Sequence, residues 1–133
     1  MPRHALVLLC AVALAACGGD EGSAEELCAA VRGQPGLTST FTAFDPTDTE
    51  TALEQLRSAR VALGELRDAA PAEVRDDLTI EIDYVQALVT GLEGVDGRDA
   101  EETVALVQRI TDEHPDVPSA QAELAAFAEE SCA

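Results

Sequence analysis

The stretch PAEVRDDLTIEIDYVQALVTGL, residues 71–92, decides the fold. Val74, Leu78, Ile82, Val85, Val89 and Leu92 succeed one another at steps of three and four, and Ile80, Tyr84 and Leu88 repeat beside them at steps of four. Steps of that size keep side chains on one side of a helix, whereas a half-buried strand needs strict alternation. Two apolar stripes predict two packed faces, so this helix is expected at the centre of a helical domain. Its remaining face carries Glu73, Asp77 and Glu81 at successive i+4 steps. Like charges so placed cost about 0.2–0.5 kcal/mol per pair. The stripe reads as a solvated acidic face, or, as the sharper alternative, a docking face for a basic partner.

On the N-terminal side, Ala52, Leu56, Ala59, Leu63, Leu66 and Ala70 alternate steps of four and three, the stripe of a helix packed in a bundle, while Arg57, Arg60 and Arg67 keep to other faces. Asp45 and Pro46 suggest its start, with proline at the first helical position; Thr47 and Glu50 offer a competing capping box. Residues 37–44 read two ways: threonines at 38, 40 and 42 favour extended chain, and Leu37, Phe41 and Phe44 favour a short helix. Before them, Ser23 and Glu26 have capping-box spacing and open a short helix with Leu27 and Val31 on one face and Cys28 beside it.

On the C-terminal side, Gly91, Gly94 and Gly97 punctuate a turn. Asp99 and Glu102 then have helix-start chemistry, with Val104, Val107 and Ile110 as the expected inward face up to Glu113. A turn from His114 to Pro118 precedes the last helix, with Leu124, Phe127 and Ala128 inward and Cys132 at its end. No segment alternates as a strand and no internal repeat is present. The expected fold is all-α: a small antiparallel bundle of four main helices, 46–69, 71–92, 99–113 and 118–131, with a short N-terminal helix at 24–32, stapled by one disulfide.

The N-terminus has a different character. Arg3 and His4 precede an apolar run from Ala5 to Ala16, and Gly18, Gly19, Asp20, Glu21 and Gly22 follow Cys17. That is the layout of a secretory signal followed by a flexible tether. The run is shorter than the roughly 20 residues that cross a bilayer as a helix. Leu14, Ala15, Ala16 and Cys17 resemble the lipobox of bacterial lipoproteins. The resemblance implies cleavage before Cys17 and acylation of its thiol; the alternative is an ordinary secreted protein cut near the same point. The whole layout of lipobox, Gly/acidic tether, helical domain and two further cysteines is similar to small lipoproteins of actinobacteria. It implies a membrane held through a lipid anchor, an extracytoplasmic location, and residues 1–16 as signal peptide, 17–22 as tether and 23–133 as the folded domain. It carries over no catalytic residue.

If Cys10 leaves with the signal and Cys17 carries lipid, Cys28 and Cys132 remain as the only pair. Outside the cytoplasm an even remainder reads as a disulfide. Closing a loop of about 100 residues, it is worth up to about 4.7 kcal/mol in the chain-entropy model. The chain has 26 acidic residues against 8 basic ones, a formal net charge of −18, and every basic residue is arginine. Nucleic acid is therefore disfavoured as a partner, and so is direct docking on anionic lipid. The absence of lysine and the abundance of alanine suggest a GC-rich coding bias, with a high-salt host as the other explanation.

Enzyme chemistry finds little support. His114 is the single histidine after the signal, in a proline-flanked turn where an exposed loop residue is expected, and no nucleophile-elbow, zinc-helix or phosphate-loop motif occurs. Neither a cofactor nor a metal is expected. Two acidic clusters, Asp45, Asp48 and Glu50, and Asp96, Asp99, Glu101 and Glu102, place oxygens in or beside loops where a hard cation could recruit them. Neither has EF-hand spacing, and helix capping accounts for the same residues. The leading expectation is a cell-envelope lipoprotein acting as an interaction or accessory module, with a protein partner in the envelope; the alternative is an extracytoplasmic small-ligand or divalent-cation-binding lipoprotein.

Overall fold

The computed structural model describes residues 22–34, 45–95 and 99–132. Cys17 with its surrounding word, the ambiguous segment 37–44, and Asp96 lie outside the described residues. Within them the chain is all-helical: α1 (Ala24–Arg32), α2 (Thr49–Ala69), α3 (Ala72–Glu93), α4 (Ala100–Glu113) and α5 (Val117–Ser131). There is no strand among the described residues. No helix among them is long and apolar enough to cross a membrane.

Local chemistry sets the helix ends. Ser23 Oγ accepts from the Glu26 amide at 3.1 Å and Asp99 Oδ1 from the Glu102 amide at 3.0 Å, the two caps expected from the spacing. The start of α2 differs from both readings of it. Asp48 is the cap, accepting from the Thr51 amide at 3.1 Å, while Asp45 folds back to accept from the Thr47 amide at 2.8 Å and the Thr47 hydroxyl at 2.6 Å. A short aspartate turn thus forms where proline was expected to begin the helix. At its other end α2 stops at Ala70, which is extended (φ −78°, ψ 143°), because the ring of Pro71 excludes helical geometry from the residue before it.

Helix α3 packs against α2, α4 and α5, and α1 lies against α2 and α5. The centrality expected of residues 71–92 is thus seen. The core joins Leu56, Leu63, Leu66 and Ala70 of the α2 side to Val74, Leu78, Val85, Leu88, Val89 and Leu92 of α3, with Leu27, Leu106, Ile110 and Phe127 arriving from the other helices. Gly91 allows α4 to come close: a β-carbon there would stand 2.7 Å from the Ile110 Cδ1 methyl. Two inward assignments are corrected. Val104 is 51% exposed; Ile110 is buried and Val107 packs at the core's edge as expected, with Thr103 and Leu106 as the further inward residues of α4. Val31 is 42% exposed, and α1 is held by Leu27 and Cys28.

Candidate functional site

The acidic stripe of α3 is divided by its neighbours. Glu73 is exposed and Asp77 half-buried, but Glu81 is only 4% exposed. The expectation of one continuous solvated or partner-docking face is therefore overturned: α5 covers its upper part. Gln121 of α5 reaches the Glu81 carboxyl, while Glu81 Oε1 is buried without a hydrogen-bond partner. Burial raises the Glu81 pKa above its ordinary value, and the hydrogen bond from Gln121 pulls it partly back. Asp77 is raised as well, first by desolvation, then by repulsion from Glu123 of α5 and from its neighbour Asp76. Chemically this is a seam between two helices that favours the protonated forms of Glu81 and Asp77.

The sequence hid this because α3 already has two apolar stripes, which seemed to account for all its packing. The signal lay in α5. Its buried Val117, Ala120 and Phe127 need a surface, and the covered edge of α3 supplies it.

In the two other acidic groups the described aspartates serve the backbone, while Glu50, Glu101 and Glu102 are exposed in the first turns of their helices. Asp48 and Asp99 are helix caps, and Asp45 closes its own turn. Among the described residues no three His, Cys, Asp or Glu side chains are grouped to hold a metal ion. His114 is not the exposed loop residue expected. It is half-buried, its Nδ1–H donates to the Ile110 carbonyl at 2.8 Å, and its ring lies 5.6 Å from that of Tyr84 at 58°. The Tyr84 hydroxyl donates to Thr111 Oγ1 at 3.0 Å, since the Thr111 hydroxyl is itself spent on the Val107 carbonyl at 2.8 Å. These bonds fasten the end of α4 to the middle of α3.

Cys28 and Cys132 are joined, with their Cα atoms 5.4 Å apart across a sequence separation of 104. The expected pairing is present, and it ties α1 to the residue after α5. Close by in sequence, Gly22 lies on the corner between α2 and α3. Its amide donates to the Ala70 carbonyl at 3.2 Å, an oxygen that also accepts from Arg75 Nη2 at 3.3 Å. A β-carbon on Gly22 would stand 1.9 Å from the Ala69 carbonyl oxygen, so no larger residue fits this approach.

No protein-family model, curated protein or solved structure matches the chain.

Proposed function

We propose that the chain is a cell-envelope lipoprotein, cut before Cys17, acylated on that thiol and held at the outer face of the membrane, where its helical domain acts as an interaction or accessory module without catalysis. The observation that carries this reading is the word Leu14, Ala15, Ala16, Cys17, set between an apolar run and a Gly/acidic tether. The Cys28–Cys132 bridge supports it, because such bonds persist in oxidising compartments. The net charge of −18 supports a partner that is neither nucleic acid nor anionic lipid. A protein of the envelope is the proposed partner.

The domain is further proposed to be an antiparallel bundle. Arg57 of α2 meets Glu93 of α3, and Arg60 meets Gln86, so partners fall in number along one helix as they rise along the other. The same order runs between α3 and α5, from Glu81 against Gln121 to Asp77 against Glu123.

Expression of the full chain in a bacterial host that processes lipoproteins tests the anchor. Cys17→Ser is expected to move the protein out of the membrane fraction, and intact mass of the wild type should show loss of residues 1–16 and a diacylglyceryl increment. A wild-type protein cut elsewhere, or carrying no lipid mass, overturns the reading.

A further inference from the structure

Resting on the proposed anchor at Cys17, we infer that the α2–α3 corner around Ala69, Ala70 and Gly22 is the end of the domain that faces the lipid bilayer. Gly22 is not a free linker residue. Its amide is bonded to Ala70 and its α-carbon is seated where a side chain would strike the Ala69 carbonyl. The free part of the tether therefore ends at the corner itself. From Cys17 to Gly22 there are five residue steps, which span at most about 18 Å when fully extended. A lipid-bearing cysteine sits at the level where acyl chains meet headgroups, and the headgroup layer takes up roughly 5 to 8 Å of that reach. The corner is thus confined to about 10 Å of the bilayer surface.

The rest of the molecule is then directed outward. Helix α3 leaves the corner for 22 residues, about 33 Å at the usual helical rise. Its far end, with the Arg57–Glu93 ion pair, comes to the bilayer only if the whole domain tips over about the corner. Within a few residues of the corner, Glu25, Glu26, Asp68 and Glu73 outnumber Arg67 and Arg75, so an anionic surface would on balance repel it. The occupant of this face is accordingly the lipid bilayer itself, approached because the tether is short and not because charges attract.

Fluorescence quenching on vesicles tests the orientation. Mature acylated protein, cut before Cys17 and so without Cys10, carries a bimane at the thiol introduced by Asp68→Cys, beside the corner, or by Glu50→Cys, in the first turn of α2 and about 28 Å along it. Both residues are exposed, and no other thiol is free once Cys17 is acylated and Cys28 paired. The vesicles are phosphatidylcholine with a nitroxide on a fraction of the headgroups. Quenching is expected to be severalfold stronger at position 68 than at position 50, and Gly22→Val is expected to shrink the difference by undoing the seat on Ala69. Anchored protein quenched equally at both sites, or more at 50, overturns the orientation and leaves the anchor standing; an unchanged difference in Gly22→Val overturns the seat as its cause. Protein without lipid mass that fails to float with the vesicles overturns the anchor and this inference with it.

Discussion

Burial of the Glu81 carboxyl against α5 ties the stability of the domain to pH with a sign that can be worked out. Its pKa is raised by desolvation in the folded chain, so the folded state holds the proton more tightly than the unfolded one. The stabilisation is fully present below the ordinary glutamate value of about 4.3 and is lost as pH rises through the folded value. Asp77, raised by desolvation and by Glu123 and Asp76, acts in the same direction. Asp45 acts oppositely: the Thr47 hydroxyl, then the Thr47 amide, lower its pKa, so its contribution is present at neutral pH and is lost in acid. Glu81→Gln keeps the size and the Gln121 contact and removes the charge. Its melting temperature should exceed that of the wild type near neutral pH, and the gap should close toward about pH 4, where the wild-type carboxyl is itself protonated. Thermal melts across this range check it, and a gap independent of pH would mean that Glu81 is uncharged throughout or well solvated. The sequence marked Glu81 as part of a stripe, but spacing tells which residues share a face, not how far a neighbouring helix extends over it.

At the scale of the helix, the acidic residues at the starts of α2 and α4 are capping groups. Asp48→Ala and Asp99→Ala should each cost about 0.5–2 kcal/mol, measured by urea unfolding. If capping is their role, millimolar calcium should raise the melting temperature no more than sodium chloride of equal ionic strength, whereas a rise of many degrees would restore the cation-binding alternative. Gly91 marks the closest approach of α4 to α3. Alanine there gains helix propensity but must displace the Ile110 methyl, so the two effects offset; Gly91→Leu should destabilise by about 1–3 kcal/mol, with Gly64→Leu, at a site with no atom nearby, as the mild comparison. Helix existence was legible throughout the described residues, because each helix has a periodic apolar stripe, with a capping side chain at the starts of α1, α2 and α4 and a proline at the starts of α3 and α5. What could not be read was the rotation of the short helices. In α4, Val104 and Leu106 are equally apolar, and only the approach permitted by Gly91 turns Leu106 and Ile110 inward and leaves Val104 in water. The start of α2 shifted for a similar reason: Asp45, Thr47 and Asp48 all have capping chemistry, and the turn Asp45 makes with Thr47 leaves Asp48 to begin the helix.

For the molecule as a whole, the Cys28–Cys132 bond closes a loop that contains α2, α3, α4 and α5. Its reduction should lower stability by up to about 4.7 kcal/mol in the chain-entropy model, yet helical circular dichroism should persist below the new melting point, because the α2–α3 core does not include the bond. Thiol titration of the oxidised domain in denaturant should find no reactive thiol at 28 or 132, and two would refute the pairing. The cysteine count made this bond legible from the sequence, since a pairing needs only a parity argument, whereas the seat of Gly22 on Ala69 has no signature beyond a glycine in a glycine-rich stretch. The bond also determines how the protein bears mechanical load. Tension between an anchored Cys17 and anything gripping the chain after Cys132 passes from Cys28 straight across the sulfurs, so only the few residues before Cys28 can stretch and the four main helices carry none of the force. A protease cut between α1 and α2 would likewise leave both pieces joined through the sulfurs. The bridge thus makes the domain a handle that a pull on its two ends cannot unravel, since the load bypasses α2 to α5 through the sulfurs.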